Sequence, residues 1–160
     1  MNCRLLPRQS LPAVAIAFCL TCMALTSCSV AASLPKDARE ISVVALQKQP
    51  IESVLFIDVR TPAEYASDRI GDSPLVPISE IEAGAGVEQI KSAIAQRSVD
   101  AGQPVTVILY CERGFRSARA QKVLETEGIQ SISLAGGIRA WRQQTPRDRD
   151  AEALQELNHV

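Results

Sequence analysis

The sequence predicts a single α/β domain: a mainly parallel sheet flanked by helices on both faces. Two observations carry this. Three short apolar runs, at residues 54–57, 105–110 and 129–134, are rich in β-branched residues. They end at Asp58, at Cys111 and at the Gly136-Gly137 pair. Runs of this length that are continuously apolar fit strands buried on both faces. Stretches patterned as helices lie between the runs, and strands alternating with helices in one small domain give a parallel sheet. The chain has 160 residues, enough for one domain and short for two.

The elements follow in order. Pro62 opens a short helix with Thr61 as its cap, because proline suits the first helical position. Residues 78–95 carry Ile78, Ile81, Val87, Ile90 and Ile94 at helical spacing, but Gly84-Ala85-Gly86 divides the stretch into two shorter helices. A further helix runs over 117–127 and stops at Gly128, with Ser117 expected to cap it. Another starts at Ile138 and reaches Gln144. The tail, 147–160, is highly charged with Ala151, Leu154 and Leu157 at helical spacing. That pattern fits a solvated terminal helix or, alternatively, a docking helix.

The first residues read as an address. Arg4 and Arg8 precede an uncharged apolar run over 11–25. This is the charged start and short hydrophobic core of an export signal, below the roughly 20 residues of a spanning helix. Leu25-Thr26-Ser27-Cys28 resembles the bacterial lipobox, which implies cleavage after Ser27 and lipidation of Cys28. Ordinary cleavage after Ala31 or Ala32 is the rival. On the lipobox reading the chain divides into a signal peptide over 1–27, a tether over 28–40, the domain over 41–146 and the tail over 147–160. The expected location is the cell envelope, as an exported, lipid-anchored periplasmic protein that meets a membrane only through its lipid.

Composition excludes several functions. The chain is 46% hydrophobic and 22% charged with net charge −1, an ordinary globular balance with no basic excess for nucleic acid. Cys3, Cys19, Cys22 and Cys28 crowd the first 28 residues and leave Cys111 alone beyond them, so no disulfide framework is available. His159 is the sole histidine, too little for a Cys-His pair or a metal site, and no cofactor is expected.

Open parallel sheets place their sites at the carboxyl ends of strands, where Asp58, Cys111 and Gly136 all fall. Cys111-Glu112-Arg113-Gly114-Phe115-Arg116-Ser117 joins a strand to a helix. Inward backbone N–H groups in such a loop form an anion-binding concavity, and the helix dipole adds to it. With Arg113 and Arg116 nearby, the loop is expected to favour thiolate and lower the Cys111 pKa. The alternative is an inert buried cysteine at a strand end.

This heptad resembles the C-x-x-G-x-R-S active-site loop of the rhodanese family. Asp58-Val59-Arg60-Thr61-Pro62-Ala63-Glu64-Tyr65 resembles the family's D-V-R-x-x-x-E-Y/F segment. Leu134-Ala135-Gly136-Gly137-Ile138-Arg139-Ala140-Trp141 resembles its L-x-G-G-x-x-x-W segment. The three occur in family order, and the resemblance covers roughly residues 40–144. Arg69 stands where family members often carry histidine, and Asp72-Ser73 where they often carry Gly-Ala.

The resemblance implies a sulfurtransferase in which Cys111 takes a sulfane sulfur from a small anionic donor such as thiosulfate. The persulfide then passes that sulfur to a thiol, to cyanide or to a protein acceptor. Glu112, Arg113, Gly114, Phe115, Arg116 and Ser117 would form the anion-binding loop, and Asp58, Arg60, Gly136 and Gly137 would support it. Glu64 reads as a surface or capping residue and Trp141 as a core anchor; Arg139 fits either the site or the surface. A non-catalytic binding or sulfur-sensing module is the alternative. A cysteine-dependent phosphatase or arsenate reductase is a lesser one, because those enzymes use C-x5-R and this loop is C-x4-R.

Overall fold

The computed structural model describes residues 39–48, 54–150 and Leu154. The expected signal peptide, the lipobox with Cys28 and most of the tether lie outside these residues, as does most of the tail. The described residues belong to one compact unit, Ala31–Val160.

Four strands pair in parallel: β1 (Glu40–Ile41), β2 (Val54–Asp58), β3 (Thr106–Tyr110) and β4 (Ile132–Leu134), in the order β1-β4-β3-β2. β2 and β3 fall where their apolar runs predict. Only the last three residues of the third run pair, and residues 129–131 form the connection that leads into them. β1 takes in Glu40, the last residue of the expected tether.

The helices are α1 (Val43–Lys48), α2 (Pro62–Ser67), α3 (Ile78–Glu82), α4 (Ala85–Ala101), α5 (Phe115–Thr126) and α6 (Gly137–Gln144). They cover both faces of the sheet. One face gathers Phe56, Ile108, Tyr110 and Leu134 under Leu46 of α1 and Trp141 of α6. The other gathers Ile57, Val107 and Leu109 under Ile81, Ile90 and Leu124 of α3, α4 and α5. Alternate residues of β2 and β3 thus bury in opposite directions, and a continuously apolar run is what two covered faces require. Each fully buried Ile or Leu contributes about 1.5–3 kcal/mol. Trp141 is a core anchor, 0% exposed, with its ring edge-on to Phe56 at 5.4 Å.

Thr61 caps α2 reciprocally with Glu64: Glu64 N donates to Thr61 Oγ1 at 3.3 Å, and Thr61 N donates to Glu64 Oε2 at 3.0 Å. The helical stretch over 78–95 divides at Gly84, as its glycines predict. α5 begins two residues earlier than expected, with Gly114 at its cap. Ser117 is therefore no cap; it sits one turn inside, where its hydroxyl donates back to Gly114 O at 2.9 Å.

The start of the tail joins the core. Arg147–Arg149 make a short 3-10 turn, and Asp150 beyond it is buried. Asp150 accepts from Trp141 Nε1 at 2.9 Å and from Arg142 at 2.5 and 2.8 Å. Leu154 packs on the α1/α6 face. Among the described residues no helix is long and apolar enough to cross a membrane.

Candidate active site

Cys111 follows β3 at the carboxyl edge of the sheet and is 1% exposed. Its sulfur faces into the turn that starts α5. Gly114 N donates to Sγ at 3.1 Å, and the Ser117 hydroxyl lies 3.8 Å from it. That hydroxyl is itself held by Ser133 Oγ at 2.7 Å. Gly114 can aim its N–H inward because it adopts φ +101°, a region closed to most side chains.

Burial pushes the Cys111 thiol up, but the backbone N–H groups of Ser117, Arg113, Gly114 and Arg116 outweigh it and leave the pKa below its ordinary value. The direction is the expected one, and the oriented amides expected of the loop are its lowering cause. Arg113 and Phe115 are exposed at the rim, Phe115 by 81%, and Arg113 serves the cradle through its backbone.

Arg116 is clamped rather than free. Its Nη1 and Nη2 donate to Glu64 Oε2 and Oε1 at 2.7 and 2.5 Å, a bidentate pair in which both side chains are about one-third exposed. The hydrogen bonds from Arg116 hold Glu64 down at about 2, and those to Glu64 raise Arg116, with Cys111 a smaller contributor. Glu64 is more than a cap. Its link to the loop spans 52 residues and leaves no local sequence trace, although it is the glutamate of the D-V-R-x-x-x-E segment.

Asp58 and Arg60 form a buried pair at the end of β2, 0% and 3% exposed. Arg60 Nε lies 3.0 Å from both Asp58 carboxylate oxygens, and Nη2 lies 2.7 Å from Oδ2. Arg60 also donates to Asp68 O, reaches Glu112 at 3.7 Å and lies over the Tyr110 ring. Glu112, 42% exposed in its side chain, thereby ties the loop to the first segment.

The third segment meets the loop through its backbone. Ile138 N donates to Cys111 O at 2.8 Å, and Arg139 N to Glu112 O at 3.3 Å. A side chain at Gly137, φ +58°, would strike Cys111 O and Glu112 O. Gly136 lies alongside, its N 3.4 Å from where a Cβ on Gly114 would sit. Asp58, Cys111 and the glycine pair do gather at one sheet edge. Beside them a cavity of about 380 Å³ is lined by Arg60, Ser67, Glu112, Arg139 and Arg142 among others. Among the described residues no group of His, Cys, Asp or Glu could hold a metal.

A buried cysteine in a cradle of amides that favours its thiolate, with no histidine beside it among the described residues, suits attack on a soft sulfur centre that needs no proton from the protein.

A family model described as Rhodanese-like domain matches residues 43–144. The chain is 34% identical over 94 residues to the "Probable adenylyltransferase/sulfurtransferase MoeZ" of Mycobacterium tuberculosis, covering 58% of this chain and 21% of that protein. It is 34% identical to a "Sulfurtransferase" of Allochromatium vinosum, over 56% of this chain and 73% of that one. It is 27% identical to the "Thiosulfate sulfurtransferase PspE" of Escherichia coli, over 52% and 70%. The chain spans about a fifth of MoeZ and 45% and 61% of two uncharacterized cyanobacterial relatives. Among solved structures, a rhodanese-related protein of Thermoplasma volcanium superposes with TM-score 0.51 at 27% identity, covering 66% of this chain and 92% of that one. A Saccharomyces cerevisiae homologue of single-domain rhodanese and the Cdc25 phosphatase catalytic domain shares the fold, with TM-score 0.56 at 18% identity over 71% and 85%.

Proposed function

This chain belongs to the rhodanese-like domain family, matched over more than half its length, and we propose that it is a sulfurtransferase working through a persulfide on Cys111. The observation that supports this most is the Cys111 cradle, where Gly114 N–H reaches the sulfur and the loop amides hold the thiol below its ordinary pKa.

In the first half-reaction the Cys111 thiolate attacks the sulfane sulfur of a donor, for which thiosulfate serves in assay. A new S–S bond forms as the donor's S–S bond breaks, and sulfite leaves with the electron pair. In the second, the acceptor attacks the outer sulfur of the persulfide and the Cys111 thiolate leaves. Cyanide accepts as thiocyanate, and a small thiol or a protein thiol accepts as a persulfide. The loop amides serve both steps by stabilising negative charge on sulfur at either position. Neither step takes a proton from the cysteine's attacking form, so no general base is required. The C-x4-R loop is a residue shorter than a phosphatase cradle, which favours sulfur chemistry over phosphate chemistry.

The test is thiosulfate-to-cyanide transfer by the full chain and by Cys111→Ser. Turnover by the parent alone supports the proposal. If neither turns over with any of several donors, the non-catalytic sulfur-sensing module takes its place. Export to the cell envelope with a lipid on Cys28 is part of the same reading. Mass spectrometry of the mature start tests it: a diacylglyceryl adduct on Cys28 supports it, and a start at Ala32 or Ser33 overturns it.

A further inference from the structure

Resting on the sulfurtransferase reading, we propose that the cradle selects sulfur donors of low charge, organic persulfides over the thiosulfate dianion, and that Glu64 is the residue that sets this selectivity.

The charges around the sulfur cancel. Arg116 is spent on Glu64 in a bidentate pair. Arg60 is spent on Asp58 and reaches Glu112. Arg113 and Arg139 are exposed at the rim without a carboxylate partner among the described residues, where solvent screens their charge. A further carboxylate oxygen, Glu40 Oε1, lies 3.7 Å from where a Gly114 Cβ would sit. The amide and hydroxyl that reach the buried sulfur are neutral, and the one guanidinium that interacts with it, that of Arg116, is already paired with Glu64. Such a cradle holds one negative charge on sulfur but offers no unpaired cation beside the sulfur for a dianion arriving at a thiolate. Like charges brought together in a partly desolvated site repel strongly.

A persulfide avoids this repulsion. It can arrive as neutral R–S–SH; the thiolate attacks the terminal sulfur, the donor's S–S bond breaks, and RS⁻ leaves with the electron pair and takes a proton from water. The Cys111 persulfide then ionises to solvent. Thiosulfate delivers the same sulfur only by bringing two charges to the thiolate.

The experiment loads the full chain with thiosulfate or with hydroxyethyl persulfide at neutral pH and follows the sulfur adduct by intact mass. Each rate is divided by that donor's rate with a free small thiol, to remove intrinsic reactivity. The expected normalised preference is about tenfold for the persulfide. Glu64→Gln frees the Arg116 charge and should raise the ratio of thiosulfate to persulfide loading about tenfold. Glu64→Asp, which keeps the carboxylate, should return the preference towards that of the parent. A structural role alone would slow both donors together. The inference is overturned if thiosulfate loads the parent as well as the persulfide does, or if Glu64→Gln leaves the ratio unchanged in a protein with parental circular dichroism. If Glu64→Gln fails to fold, the parent's donor ratio and Glu64→Asp decide. If neither donor loads Cys111, the sulfurtransferase reading itself fails and takes this inference with it.

Discussion

Gly137→Ala tests whether the α6 start holds the loop. The added methyl would sit 2.8 Å from both the carbonyl carbon and the oxygen of Glu112, and closer still to Cys111 O. All three are backbone atoms, so no side-chain rotation relieves the clash. A non-glycine residue at φ +58° costs about 1–2 kcal/mol. Overpacking against fixed atoms adds about 1–3 kcal/mol. The loop can escape only by giving up the bonds from Ile138 N and Arg139 N, worth about 0.5–1.5 kcal/mol each. The sum is about 3–8 kcal/mol, a large part of the roughly 5–15 kcal/mol of a typical domain. With a urea slope of about 2 kcal/mol/M, the midpoint should fall by about 1.5–4 M. Gly128→Ala is the control: its φ is +75°, but nothing lies within 4 Å of the added methyl. It should lose about 1–2 kcal/mol and keep full sulfur loading. Urea titration and intact-mass loading, both on folded protein, read the two effects. Gly137→Ala with a midpoint and loading rate equal to those of Gly128→Ala would refute the close-approach argument.

Asp58→Asn leaves the Arg60 guanidinium buried without its carboxylate and should cost about 3–5 kcal/mol by urea titration. Asp150→Ala strips Trp141 Nε1 of its acceptor and Arg142 of one of its carboxylates, and should cost about 1–3 kcal/mol by urea titration. Alkylation of Cys111 by iodoacetamide should titrate with a midpoint below the ordinary cysteine value in folded protein, and at the ordinary value in urea. Because the folded pKa is the lower one, the thiolate stabilises the fold above the unfolded pKa. That contribution is lost as pH falls through the folded value, so Cys111→Ser should flatten the stability profile over that window.

Much of the scaffold could be read from local pattern. β2 and β3 are apolar on both sides because helices cover both faces, and Thr61-Pro62 with Glu64 announces α2 by its capping chemistry. Gly84 and Gly86 mark the break between α3 and α4. β1 escaped because two residues have no period, and β4 was read too long because only the last three residues of the 129–134 run pair. The site was legible as a loop but not as a network. Glu64 and Arg116 are 52 residues apart, and only the sheet brings them together. Asp150 looked like one charge in a polar tail, whereas its partners Trp141 and Arg142 bury it. Ser117 has the composition of a cap, but Gly114 at positive φ claims that place. Arg116 reads as a free charge in the sequence, which does not show that Glu64 already holds it.

The proposed persulfide mechanism rests on Cys111 carrying the transferred sulfur. Intact mass of the full chain after incubation with a sulfur donor, before and after cyanide, tests it most directly. A gain of about 32 Da that maps to Cys111, disappears with cyanide and is absent from Cys111→Ser is the predicted result. A chain that gains no sulfur from thiosulfate or from a persulfide, or one that gains it equally in Cys111→Ser, would contradict the account.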